Sequence, residues 1–133
     1  LRTTGSVAVT GVLSRVGPDW VLIDEGAGRE ALIPTAAVVS VRGLARYSAT
    51  PDSLPVVESR LGLRHALRGI ARDRSGVRLH LADGSTVDAT IDRVGSDFVE
   101  VATHAAGEAR RRQGVRDSEL LPITALVAVR RAG

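Results

Sequence analysis

Arg60, Arg64, Arg68 and Arg72 recur at every fourth residue, a spacing that on a helix lines like charges along one slowly drifting stripe. Each such pair costs an isolated helix about 0.2–0.5 kcal/mol, so the stripe is easier to explain if an anion lies against it. Nucleic-acid phosphate is one such anion, and the acidic strands of a neighbouring folded unit are another. Arg74 stands just beyond the stripe. A second cluster, Arg110, Arg111, Arg112 and Arg116, sits in a segment loosened by Gly107 and Gly114, from which it would clamp a phosphate backbone. The competing readings are a solvated helix face and a surface loop.

The remaining chemistry-bearing residues do not assemble into a motif. Asp83 and Asp97 fall in turns, where Asp is favoured for its own backbone bonds, and Asp88 and Asp92 alternate outward on a strand. The dense run of oxygen ligands that calcium requires is missing, so neither a metal nor a cofactor is expected. His65, His80 and His104 are scattered, no Ser, His and carboxylate share a signature, and the glycine motifs of phosphate and dinucleotide sites are absent. These residues predict a protein that is not an enzyme. Trp20 and Phe98 would stack on bases if exposed, but large aromatics more often fill cores or interfaces.

Composition narrows the classes further. The 133 residues are 44% hydrophobic and 25% charged, as in an ordinary globular protein. With 2% aromatics, the core must be built from Val, Leu, Ile and Ala. The absence of cysteine removes disulfides and sulfur-bound zinc. No apolar run approaches the roughly 20 residues of a membrane helix, and no signal peptide is evident at the start, so no membrane partner and a cytoplasmic location are expected. The chain opens on Leu1 rather than Met, which suggests a trimmed or upstream start. All basic side chains are Arg, the net charge is only +3, and the excess sits on residues 51–76, with five Arg against three acids.

Self-similarity organises the chain. Residues 13–23, Leu13-Ser14-Arg15-Val16-Gly17-Pro18-Asp19-Trp20 and onward, match residues 91–101 at an offset of 78 (91 − 13). Residues 33–42, from Ile33-Pro34 to Val41-Arg42, match residues 121–130 at an offset of 88 (121 − 33). Two matched blocks in the same order indicate a duplication, and the shared place of Trp20 and Phe98 favours a shared structural role. Apolar and polar residues alternate along Val77 to Leu81, which predicts a strand, and Asp83-Gly84 predicts a hairpin turn. Five short strands make up the second copy. The first copy has equivalents at Val9 to Val16, Trp20 to Asp24, Glu30 to Ile33 and Val38 to Val41, but no visible counterpart of Val77 to Leu81. Either that strand is lost or another completes the edge.

Between the copies, Pro51-Asp52-Ser53-Leu54-Pro55 offers a helix start, and Val57, Leu61, Leu63, Leu67 and Ile70 recur near helical spacing. The expected organisation is therefore a first partial unit at 1–50, a linker and helix at 51–76, and a second unit at 77–133. The expected fold class is mainly β, two small antiparallel barrels linked by one α-helix.

A short helix, a long hairpin ending in Asp-Gly, a Gly-x-Asp turn, a variable insertion and two last strands resemble the Sm-like family of small barrels. The resemblance covers residues 61–131 and, as a partial copy, 5–43; other SH3-like barrels share its strand rhythm. The chain is also similar to uncharacterised proteins of high-GC bacteria labelled Fis-type transcription regulators, although it shows no helix-turn-helix. The Sm-like resemblance implies RNA binding by rings of subunits, with Asp19 and Asp97 as the family's turn aspartate. The asparagine and the Arg-Gly of the family's uridine pocket are absent, since Ile33-Pro34 and Leu121-Pro122 occupy the latter region. The resulting expectation is a nucleic-acid-binding or regulatory module, RNA before DNA, holding phosphates with Arg60, Arg64, Arg68, Arg72, Arg110 to Arg112 and Arg116. The alternative is a protein-interaction or homo-oligomerising module that pairs through its edge strands.

Overall fold

Val77 and Leu79 are wholly buried while Arg78 between them is exposed, the two-residue period of a strand with one face on a core. The same period shapes most of the chain. The structure, a computed structural model, describes residues 1–43, 57–104 and 117–131, and these are mainly β with one helix. The strands are β1 (Arg2–Thr3), β2 (Val12–Val16), β3 (Trp20–Gly26), β4 (Arg29–Pro34), β5 (Val38–Ser40) and β6 (Val57–Glu58). Helix α1 (Leu63–Asp73) precedes β7 (Gly76–Leu81), β8 (Thr86–Val94), β9 (Phe98–Thr103), β10 (Asp117–Pro122) and β11 (Leu126–Arg131). No helix among the described residues is long and apolar enough to cross a membrane.

Nine strands share one sheet in the order β10-β9-β8-β7-β11-β4-β3-β2-β6, and β1 pairs separately with β5. All neighbours are antiparallel except β2 and β6. Among the described residues no pairing returns to close the sheet on itself. The two halves are continuous instead, because β11 of the second lies on β4 of the first.

The pairings among β1 to β5 recur among β7 to β11 at the two offsets found in the sequence. Trp20 opposes Pro34 as Phe98 opposes Pro122. The β2–β3 ladder skips a residue at Ser14 and the β8–β9 ladder at Asp92, its counterpart; a bulge there sharpens the bend of each sheet. Thr35 N–H donates to Asp19 O at 2.9 Å and Ile123 N–H to Asp97 O at 2.9 Å. Gly17 and Gly95 each donate to the carbonyl of the aromatic three residues on, both at 2.8 Å.

Two sequence expectations need correction. The first half does possess a counterpart of Val77 to Leu81, namely β1. Arg2 and Thr3 pair with Ser40 and Val38 as His80 and Leu81 pair with Ala128 and Leu126, and Arg2 meets Ala8 as His80 meets Thr86. A two-residue strand is too short to display a period. The helix is also shorter than the apolar spacing predicts. Val57 and Glu58 are β6, opposite Arg15 and Val16, and Ser59 N–H extends this ladder to Val16 O at 2.8 Å. Gly62 is extended at φ −81°, ψ 174°, so Arg60 and Leu61 precede the helix. The Pro51 to Pro55 start lies outside the described residues.

Two cores result. The larger contains Leu63 and Leu67 of α1, Val77, Leu79, Ile91, Val99, Val101, Leu126 and Val129, together with Trp20 and Leu32 of the first half. The smaller joins Val9, Ile23, Ala31 and Ile33 to Ala128 of β11. β4 therefore buries Ala31, Leu32, Ile33 and Pro34 in succession, the continuous apolar run of a strand covered on both faces. The β3–β4 connection is Ala27-Gly28 with φ of 54° and 76°, both left-handed, as a tight two-residue hairpin requires.

Trp20 and Phe98 lie flat over glycines: a Cβ on Gly17 would stand 2.1 Å from the indole, and one on Gly95 2.2 Å from the phenyl ring. Gly17→Ala and Gly95→Ala must push rings or backbone aside. Each is expected to destabilise by about 1–3 kcal/mol, read as a lower urea midpoint, with similar losses at both sites.

Candidate nucleic-acid interface

The arginine face is built on α1, which packs on β8. Leu63 and Leu67 are buried and Ala66, Ile70 and Ala71 are partly covered, while Arg64, Arg68 and Arg72 are exposed. The amphipathic spacing thus puts apolar residues on the sheet and three guanidinium groups on the opposite side. Two consecutive residues of the first half position the start of the helix. Leu63 N–H donates to Asp19 Oδ1 at 2.8 Å, and Trp20 Nε1–H donates to Leu61 O at 2.8 Å. A carboxylate at a helix N-terminus satisfies an otherwise unpaired donor and complements the macrodipole. Arg74 ends the helix in the left-handed conformation at φ 54°.

Of the residues expected to form the stripe, Arg64, Arg68 and Arg72 share the helix. Arg60 is exposed but lies before it, because the extended Gly62 intervenes. Arg64 Nη1 donates to Ser96 O at 3.4 Å. Arg74 is engaged with Asp92 at 3.4 Å, so an acidic strand of the adjoining unit takes that charge. Arg68 and Arg72 form no ion pair among the described residues. Arg110, Arg111, Arg112 and Arg116 lie outside the described residues.

The aspartates are dispersed. Asp83 accepts from Ser85 N–H at 2.9 Å and Ser85 Oγ at 2.5 Å, which holds its carboxyl below the usual range. Asp88 accepts from Arg78 Nε at 2.9 Å and is likewise held low, chiefly by that hydrogen bond. Among the described residues no three His, Asp or Glu side chains converge as metal ligands would. Trp20 is 4% exposed and so belongs to the core. Phe98 is partly covered, with the Arg93 guanidinium 5.2 Å from its ring centroid, a cation–π distance.

Sequence reasoning missed the polar network that joins the halves. Arg130 of β11 grips Glu25 of β3 with two hydrogen bonds, Nη2 to Oε1 at 2.7 Å and Nε to Oε2 at 3.1 Å, and its Nη1 lies 3.2 Å from His80 Nε2. The Arg130 and Glu25 side chains are only 27% and 16% exposed. Nothing local in a sequence signals a pair 105 residues apart. Beside this seam, a cleft of about 630 Å³ opens between the halves, lined by Trp20, Leu22, Leu32, His65, Ile70 and Val129 among others.

Partial burial, and then the charges of Arg130 and Arg78, lower the His80 pKa from its ordinary 6.5. The unfolded chain therefore takes up this proton first as pH falls. The stability linked to neutral His80 is complete above about pH 6.5 and is lost as pH drops towards the folded value. Melting temperatures should fall as pH is lowered below about 6.5, and less steeply in His80→Gln, which keeps an acceptor for Arg130. Glu25→Gln, which discharges one partner of the bidentate pair, should cost about 1.5–3 kcal/mol in denaturant unfolding at neutral pH. No family model, curated protein or solved structure matches the chain.

Proposed function

We propose that the chain is a duplicated pair of Sm-like or SH3-like barrel units linked by α1, and that it is a non-catalytic, cytoplasmic nucleic-acid-binding or regulatory module, RNA before DNA. The repeated registers support the duplication, down to the bulges at Ser14 and Asp92. The observation that carries the binding reading is the exposure of Arg64, Arg68 and Arg72 along one side of α1, opposite its buried Leu63 and Leu67. Three guanidinium groups at one-turn spacing suit a phosphate backbone through charge and forked hydrogen bonds. They carry no base-specific information, so sequence-tolerant binding is expected.

The test is fluorescence anisotropy with a labelled single-stranded RNA across a salt series. The triple variant Arg64→Gln/Arg68→Gln/Arg72→Gln should weaken binding and reduce the slope of log affinity against log salt by about 2, at roughly 0.7 per phosphate for a single strand. Absence of RNA binding at low salt overturns this reading.

A second reading, a protein-interaction or oligomerisation module, is favoured by one observation. The end strand β10 and the strand β5 with the residue after it leave Leu120, Val39 and Val41 among the most exposed large apolar residues, and bare apolar edges invite strand addition.

A further inference from the structure

The cleft between the halves has a floor that the sheet register lays out strand by strand. Arg15 of β2 stands opposite Leu22 of β3, Leu22 opposite Leu32 of β4, and Leu32 opposite Val129 of β11. All four line the cleft. The row crosses three inter-strand gaps, about 14 Å at roughly 4.8 Å each, and runs from a guanidinium at one end into an unbroken apolar strip. Leu32 and Val129 form its nearly covered bottom, and Ala66 and Ile70 of α1, both half-buried, complete the apolar lining.

Two observations suit this space to a ligand. Val57 and Leu61, which also line it, are 49% and 52% exposed. Apolar surface left open in a concave site marks a binding groove, and a volume of about 630 Å³ falls among those of small-molecule sites. The second observation is the distribution of charge. Arg131, at the far end, stands 3.8 Å from Asp73, and the ladder that sets Arg130 opposite Ala31 next brings Arg131 opposite Glu30, another lining residue. Acids therefore offset the charge at that end. Arg15 forms no ion pair among the described residues. Near it, Ser59 is bonded through its N–H to Val16 O, and its hydroxyl accepts from Leu61 N–H at 3.1 Å, which leaves the hydroxyl proton to donate.

The geometry points to a binding site for a medium-chain acyl carboxylate, its carboxylate on Arg15 and Ser59 and its hydrocarbon chain laid across Leu22 and Leu32 towards Val129. A guanidinium takes a carboxylate through two parallel hydrogen bonds. The chain beyond it has no polar group for the apolar strip to leave unpaired, whereas a nucleobase or a sugar would lose several hydrogen bonds there. The ligand touches strands of both halves and the helix between them, so its binding stabilises their union by linkage. The site is apart from the exposed side of α1 that carries Arg64, Arg68 and Arg72, and the proposal is independent of both nucleic-acid binding and edge-strand association.

Trp20, the only tryptophan of the chain, lines the cleft and reports on its contents. Sodium dodecanoate, kept below its micelle-forming concentration, should change the Trp20 emission saturably and raise the melting temperature. Decanoate should bind more weakly, by about two- to four-fold for each methylene lost. Dodecanol keeps the chain without the anion, and Arg15→Gln keeps the cleft without the cation; each should weaken binding by about ten-fold or more. Arg131→Gln, where acids already offset the charge, should change affinity by less than about two-fold. Ala66→Phe fills the space over the strip and should abolish binding in a protein that still melts cooperatively; should that variant fail to fold, Arg15→Gln, on the surface, decides alone.

No change in emission or melting at about 10⁻⁴ M dodecanoate, a weak-affinity regime, overturns the proposal. So does binding that dodecanol matches or that Arg15→Gln leaves intact, because either result describes a chain adsorbed to apolar surface without recognition of its carboxylate. A larger loss in Arg131→Gln than in Arg15→Gln overturns it as well, since the carboxylate then lies at the other end. The Arg64→Gln/Arg68→Gln/Arg72→Gln variant should take up dodecanoate like the unmodified chain, so the fate of this site and that of the RNA reading are measured separately.

Discussion

A strand edge buried without partners leaves its backbone amides and carbonyls uncompensated, and the pairing of β11 with β4 answers that requirement at the centre of the molecule. Much else follows from it. Because β4 and β11 are neighbours, Leu32 and Trp20 of the first half fill the same core as Leu79 and Val129 of the second. Because β3 is next to β4, Glu25 comes within reach of Arg130, and a charge pair taken largely out of water gains force from its low-dielectric surroundings. The two halves repeat one hydrogen-bonding pattern yet share their packing, so neither behaves as a bead on a string.

α1 reinforces this union from the outside. Its apolar side rests on β8 of the second half, while its first turn is held by Asp19 and Trp20 of the first. The helix orientation, and with it the direction in which Arg64, Arg68 and Arg72 point, is thereby referenced to both halves. Three separate anchors thus hold the helix backbone from which these exposed side chains extend.

Part of the fold was legible in the sequence because two matched blocks mark the same strands and turns in each half. The matched blocks around Trp20 and Phe98 and around Pro34 and Pro122 located strands and turns, and the alternation of Val77, Leu79 and their polar neighbours located one buried face, but nothing in them announced that β11 lies on β4 in one continuous sheet. What escaped is what local patterns cannot hold. β1 and β6 have two residues each, too few for a period, although the offset of 78 already laid Arg2 and Thr3 over His80 and Leu81. Arg60 matched the four-residue spacing, but spacing does not report where a backbone leaves the helix, and the extended Gly62 set that boundary. The Glu25–Arg130–His80 network is entirely tertiary: each residue taken alone reads as a solvated side chain on a strand. For the candidate site, three of the eight expected arginines share the helix face, and the loss of Arg60 from it lies in the chain geometry before Leu63 rather than in residue type.

β11 occupies a position with no slack. Leu126 and Val129 face the larger core, Ala128 faces the smaller one, and all four residues from Leu126 to Val129 are shielded from water. Ala31 and Ala128, both at 0% exposure on adjoining strands, leave no space into which either could grow. At this seam the two halves share every constraint on bulk. A substitution on an outer face or in a turn stays within one half, whereas a change in bulk along β11 is felt in both cores at once.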